Sequence, residues 1–244
     1  MDAYDVELAA VTKRYGSVTA VDAVSLHWFR RLFQPQAVGD IGSALVRSLL
    51  LGVMVMAATV AIAVSGGLAF RRRFHGAGPL FALVVASLFV PSILVSRGIG
   101  LLWSQAGLEP SWLGSAFGAQ LTWTLPFGLL IMFAVFNHFD RAWEEEARDL
   151  GASPWQGFRH VVLPIIGPSV VGIALFGFTL SYDEFARTLL TAGSTNTLPL
   201  EIYGMTTNVT SPVLYALGTV TTLVPFAAIL GALMLVRLLR PRRD

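Results

Sequence analysis

The chain has 244 residues, 55% of them hydrophobic and only 13% charged, with a mean hydropathy of +0.66 and a formal net charge of +2. Soluble domains carry about 25% charged residues, so a water-surrounded globular domain is excluded in favour of a chain largely surrounded by lipid. The absence of cysteine excludes disulfides and thiolate metal sites, and the four histidines (His27, His75, His138, His160) are scattered without ligand spacing, so no metal centre is expected.

Residues 1–26 differ in pattern from the rest of the chain. Apolar and polar residues alternate through Val6–Leu8 and Val11–Tyr15, then through Thr19–Asp22 and Val24–Leu26, on either side of Gly16. That is the pattern of a short β-hairpin around a glycine turn. The segment resembles the opening strands of an ABC transporter ATPase subunit, in which the aromatic residue at the place of Tyr15 stacks on adenine. No G-x-x-x-x-G-K-[ST] loop occurs anywhere in the chain, so nothing here is built to cradle phosphates. Residues 1–26 are therefore expected to be an ATPase-like fragment and not a functional domain, with no catalytic residue in this chain. Leu26, Trp28, Phe29, Leu32 and Phe33 interleaved with Arg30 and Arg31, ahead of Pro35, suit an amphipathic elbow in the membrane interface. Two arginines are too few for a nucleic-acid surface.

Five hydrophobic stretches come next. Residues 48–70 contain no charge and end at Arg71, Arg72 and Arg73. A bilayer core needs roughly 20 apolar helical residues, so this is the first span, and Gly66-Gly67 near its end permits close helix contact. Residues 79–103 form the second span, kinked at Pro91, with Arg97 in its outer part. An intramembrane Arg either faces protein or a watery cavity, or snorkels to the interface. Residues 113–139 (with Pro126), 161–182 (with Pro164 and Pro168) and 209–236 (with Pro225) complete the set. Repeated Pro implies bent helices whose freed carbonyls find partners inside a bundle. The fold expected is an all-α membrane protein with five recognisable transmembrane helices, forming one domain over residues 27–244.

The arginines orient it. Arg71, Arg72, Arg73, Arg141, Arg148, Arg159, Arg237, Arg240, Arg242 and Arg243 flank one set of span ends, whereas the loops at 104–112 and 184–208 hold only Arg187. The positive-inside rule puts the first group in the cytoplasm. Alternation then sends the N-terminus outward, the wrong side for an ATPase-like hairpin, which reads as one missing helix before residue 27.

The polar insert at 141–160 has internal design. Asp140 can cap a helix carrying Glu144, Glu145 and Glu146 in its first turns, where the positive end of the helix dipole favours them. Gly151 ends that helix. Ser153 caps a second, with Pro154 at its first position and Gln156 completing a capping box. Two short helices held at an angle, leading into the Pro164 entry of a span, make a rigid knob able to transmit a push.

At these residues the chain resembles the binding-protein-dependent ABC importer permeases. Their cytoplasmic motif is E-A-A, three residues, G, nine residues, then I-x-L-P. Glu145-Glu146-Ala147, Gly151 and Val161-Val162-Leu163-Pro164 fall at those spacings, with Glu146 in place of Ala and Val161 in place of Ile. Arg148-Asp149-Leu150-Gly151-Ala152-Ser153-Pro154-Trp155, Ser181-Tyr182-Asp183-Glu184-Phe185 and the run from Thr197 to Met205 bring it nearest to the spermidine/putrescine type. The resemblance implies a type I importer permease bundle, six helices being the family norm, that passes a small polar solute by alternating access. It implies as partners a dimer of ATPase subunits using ATP and Mg, a second permease subunit, an extracytoplasmic solute-binding protein and the lipid of a bacterial or archaeal inner membrane, with no cofactor bound by this chain. ATPase docking would fall to Glu145, Glu146, Ala147, Gly151, Pro154, Leu163 and Pro164. Arg97, Tyr182, Asp183 and Glu184 are candidates for the solute pathway, the two adjacent carboxylates being suited to a polycation or, alternatively, to pairing with Arg187. The competing readings are an ATPase–permease fusion, opposed by the missing phosphate loop, and a permease remnant without transport.

Overall fold

A computed structural model of the chain describes residues 14–15, 18–19, 29, 40–71, 74–208 and 213–239. The expectations for the remainder of 1–26, for the elbow apart from Phe29, and for Arg72, Arg73 and the arginines after residue 239 lie outside these residues. Near the N-terminus, β1 (Arg14–Tyr15) pairs antiparallel with β2 (Val18–Thr19), Tyr15 opposite Val18, the hairpin that the alternation around Gly16 predicts.

The helices in chain order are α1 (Ile41–Phe70), α2 (Ala77–Ser87), α3 (Ser92–Gln105), α4 (Phe117–Asn137), α5 (Ala142–Asp149), α6 (Pro154–Gly157), α7 (Leu163–Tyr182), α8 (Leu198–Asn208) and α9 (Val213–Leu239). Among the described residues, four continuous helical runs are long and apolar enough to cross a membrane: Ile41–Phe70, Trp112–Asn137, Pro154–Tyr182 and Val213–Met234. The pair α2 and α3, bent by 106°, makes a fifth when the two are taken as one broken span. The kink expected at Pro91 is thus a full break. Pro91 has no N–H to donate and takes an extended conformation (φ −57°, ψ 129°) that ends one helix and starts the next. The pair still runs from one end of the bundle to the other. At one end, on α2, Phe81 lies 5.5 Å from Phe133 of α4; at the other, Ser96 of α3 donates to the Arg187 carbonyl at 2.9 Å.

α1, α4 and α7 form the centre of the bundle. Ala63, Met132, Phe136, Val162, Ile166 and Ile173 make one buried cluster among them, and Ile41, Phe178, Tyr182, Leu198, Met205, Val213 and Leu217 make a second at the other end. Gly66 and Gly67 allow α1 to approach α4 closely, as the pair predicts: a Cβ would meet Leu129 at 2.6 Å from Gly66, and Phe136 at 2.8 Å and Met132 at 2.9 Å from Gly67. Between the two clusters, the Thr59 and Thr124 hydroxyls share a buried hydrogen bond of 2.7 Å. This joins α1 to α4 and satisfies both hydroxyls at a depth where an unmet polar group would be costly.

Two boundaries differ from expectation. The span at 161–182 begins earlier, because α6 continues through a π-helical turn, Phe158–Val162, directly into α7. Pro164 removes one backbone donor and its ring crowds the preceding turn, and a widened turn accommodates both. The second short helix of the insert is therefore the first turn of the span itself. The loop at 184–208 also contains a helix, α8, that its polar content hid. Glu201 in its first turn is buried and accepts the Asp40 N–H at 2.9 Å and the Asn196 amide at 2.8 Å.

Candidate functional sites at the two ends of the bundle

The polar insert forms a knob at one end. Helix α5 starts with its cap position at Arg141, one residue later than expected, while Asp140 accepts the Ala142 N–H at 2.9 Å. Glu144 and Glu145 occupy its first turn and Arg148 its last, matching the sign of the helix dipole at both ends. At its end Gly151 turns left-handed, φ +86°. The Gly151 N–H donates to the Arg148 carbonyl at 2.8 Å and the Ala152 N–H to the Ala147 carbonyl at 3.0 Å, satisfying the final carbonyls of the helix. No atom lies within 4 Å of a Cβ built on Gly151, so glycine is required there by conformation and not by space. Across the break the Ser153 hydroxyl accepts the Gln156 N–H at 3.3 Å, and the Gln156 side chain accepts the Ser153 N–H at 2.8 Å. This is the capping box that the spacing predicts, with Pro154 at the first position.

Of the residues singled out for docking, Glu145, Glu146, Gly151, Pro154, Leu163 and Pro164 are exposed and Ala147 is half-buried. Two apolar side chains missed in the sequence stand out beside them: Leu150 is 90% exposed and Trp155 is 65% exposed. The available signal was their apolarity inside an otherwise polar insert. Arg71, counted only as a charge in the sequence, also belongs to the knob. Its guanidinium makes a bidentate pair with Glu144, 2.7 and 3.0 Å, and lies 5.1 Å from the Phe136 ring centre and 4.8 Å from that of Phe139.

At the far end, α7 stops at Tyr182, whose ring stacks on Phe178 and is buried. Its hydroxyl has no partner among the described residues. Asp183 is exposed, and Glu184 accepts the backbone N–H of Arg187 at 2.9 Å. Burial pushes both carboxyls above their ordinary range; for Glu184 it prevails over the opposing pull of Arg187. The ion pair with Arg187 weighed in the sequence does not form. The Arg187 guanidinium is instead fully buried, donating from Nη1 to the Thr122 hydroxyl and lying 5.1 Å from the Trp123 ring centre, while Nε and Nη2 have no partner among the described residues. Burial pulls its pKa down. Arg97 is exposed on α3, and the adjacent Ser96 binds the same loop, also accepting the Leu190 N–H at 3.2 Å. Tyr182, Asp183 and Glu184 thus share one corner, and α3 brings Arg97 to that end of the bundle.

Residues 43–244 match the family described as binding-protein-dependent transport system inner membrane component. The chain belongs to that family. It is a family of membrane permeases and not of enzymes. The spermidine/putrescine transport system permease protein PotC of Haemophilus influenzae is 28% identical over 219 residues, covering 87% of this chain and 82% of that protein. PotC of Escherichia coli K12 is 27% identical over 169 residues, 69% of this chain and 64% of its own length. The putrescine transport system permease protein PotI of the same organism is 27% identical and covered over 54% of its length. The chain therefore spans a little under two thirds of one E. coli relative and about half of the other.

Among solved structures, the fold resembles a chain of the inward-facing MetNI methionine ABC transporter, TM-score 0.66 at 17% identity, covering 82% of this permease and 95% of that chain. It also resembles a chain of a bacterial ABC transporter that imports the acidic polysaccharide alginate, TM-score 0.68 at 16% identity, covering 88% and 84%. At such identities the likeness is one of fold. The permease therefore has the importer bundle that its motif spacing implies.

Proposed function

We propose that this permease is one membrane subunit of an ATP-driven importer, with the knob at Ala142–Val162 facing the cytoplasm and docking on a separate ATPase. The observation that carries this reading is the rigidity of the knob. A glycine-terminated helix is fused across a capping box to a span of 29 residues, so force applied at Leu150 or Trp155 reaches the bundle without being lost in a flexible loop. Glu145, Glu146 and Ala147 would set the fit in the ATPase groove, and Leu163 and Pro164 would fix how the knob enters α7. ATP and Mg act in the ATPase dimer, because no phosphate loop occurs in this sequence. A second permease subunit completes the pathway, and an extracytoplasmic binding protein delivers the solute at the far end. Residues 1–26 serve as no independent domain.

For the solute, a polyamine-like cation fits best. Asp183 and Glu184 supply two adjacent carboxylates at the delivery end, and the relatives that match along most of this chain are named for spermidine and putrescine. Tyr182 and Arg97 flank that end.

The test is Gly151→Pro. Proline fixes φ near −65°, opposite in sign to the +86° that the break requires. The variant is expected to insert in the membrane normally, yet to lose diamine uptake and the capture of the ATPase in a pull-down. Normal uptake by Gly151→Pro would sink the docking reading.

A further inference from the structure

The contact between Arg71 and the knob has more structure than charge neutralisation needs. Arg71 follows directly on α1, and its three kinds of contact all converge on one point. Two parallel N–H···O bonds reach the Glu144 carboxylate at 2.7 and 3.0 Å. The guanidinium carbon lies over two aromatic rings, 5.1 Å from the centre of Phe136 at the end of α4 and 4.8 Å from that of Phe139 just beyond it. The Arg71 carbonyl accepts from the Arg141 guanidinium at 2.5 Å, so the link runs in both directions across the gap. The ion pair is also shielded, its two side chains 12% and 19% exposed. It is the one ion pair among the described residues. An open cavity of about 1860 Å³ adjoins it, bounded by the end of α1, the start of α2 and the knob. On that side α5 is held to the bundle by this link together with the edge-on contact of Trp143 with Phe139, ring centres 5.7 Å apart.

Geometry of this kind selects for arginine. A planar guanidinium fork binds both carboxylate oxygens in fixed geometry while lying over the rings; lysine keeps the charge and an attraction to the rings but loses the bidentate fork. A partly buried, ring-flanked pair is also screened far less than a surface one. We propose that Arg71 is a positioning residue for energy coupling: a strut that couples movement of the knob to α1 as well as to α4 and α7, to which the knob is joined covalently. This rests on the reading of the knob as the ATPase-docking element. The strut makes a docked knob drive all three central helices together, whereas a knob joined only through the chain drives α4 and α7.

The experiment uses two readouts on the full chain. The protein has no cysteine, so nitroxides at Ile62→Cys and Asp149→Cys, both exposed positions, report the distance from α1 to α5 without background. In lipid nanodiscs the parent chain is expected to give one narrow distance distribution, R71Q a broad one, and R71K an intermediate one. The charge-exchanged pair R71E/E144R is expected to narrow it again. In vesicles carrying the complete importer, R71Q is expected to transport roughly tenfold less solute per ATP hydrolysed, the scale of one charge-assisted bidentate contact, with the ATPase still retained. A distribution in R71Q as narrow as the parent's overturns the strut. So does a broadened distribution with an unchanged ratio of solute to ATP. Failure of the parent chain to bind an ATPase defeats the docking reading instead, and leaves the label distances to decide the link itself.

Discussion

Asp183 and Glu184 come directly after the last residue of a span, and their shifted carboxyls carry a pH signature. Burial raises both above their ordinary values of 3.8 and 4.5. For an acid whose folded pKa is raised, the native state is favoured while the group is protonated, and that advantage is lost as pH rises through the folded value. A bound cation reverses the preference by favouring the ionised form, so cation binding releases protons. Diamine uptake is therefore expected to fall as the external pH is lowered through the window just above the ordinary carboxylate values. Asp183→Asn with Glu184→Gln should give low uptake without that slope. An uptake slope unchanged in the double variant would remove the pair from the pathway. Arg187, a few residues on, obeys the opposite logic: a fully buried guanidinium with two donors unmet is costly, and its single side-chain bond to Thr122 ties the loop to α4. Nothing in the local sequence distinguished this buried arginine from a solvated one, because burial is decided by Trp123 and Ser96, 64 and 91 positions away.

Among the elements, the glycines divide by what surrounds them. At Gly67 a side chain meets Phe136 and Met132 below 3 Å, and overpacking of this kind costs about 1–3 kcal/mol. Gly67→Val is expected to lower the melting temperature of the purified permease clearly. Gly157, in α6, has nothing within 4 Å of its missing Cβ and an ordinary helical φ of −57°. Gly157→Ala is expected to leave the melting temperature unchanged or raise it, since alanine restricts the unfolded chain more than glycine does. Equal losses in the two variants, measured by thermal unfolding in detergent, would contradict the packing of α1 on α4. The capping residues of the knob were legible because capping is local: Ser153, Pro154 and Gln156 act within one turn. The junction of α6 with α7 was not, because Pro164 reads as the start of a new helix until a π-helical turn makes the two continuous.

In the molecule as a whole, the chain's direction of travel sorts its charges. α1 runs toward the knob, the α2–α3 pair away from it, α4 toward it, α7 away, and α9 starts beside Ile41 and Tyr182 at the far end. Among the described residues from Asp40 onward, Arg71, Arg141, Arg148, Arg159 and Arg237 stand at the knob end, and Arg47, Arg97 and Arg187 at the other, an excess of two at the knob. That distribution agrees with a cytoplasmic knob under the positive-inside rule. Single cysteines make the orientation measurable: in intact cells a membrane-impermeant maleimide is expected to modify Ser194→Cys and to spare Asp149→Cys, and in inverted vesicles the pattern should reverse. Labelling of Asp149→Cys from outside would turn the bundle over and with it the proposed docking of an ATPase.

By itself the sequence determined the medium, the class and the local stops: hydropathy reports on transfer to lipid, and caps, glycines and spaced motifs act over a few residues. It thereby placed the spans at 113–139 and 209–236 within a few residues of the helices found, and the end of the span at 48–70, whose helix starts seven residues earlier at Ile41. Only the tertiary structure decided that Pro91 breaks its span by 106°, that α8 folds beneath Asp40, that Arg187 is buried, and that Arg71 grips Glu144. Each of these depends on groups brought together from distant parts of the chain, 73 residues apart for Arg71 and Glu144. Pairings at that separation are fixed by helix packing, which leaves no periodic trace in the sequence around either partner.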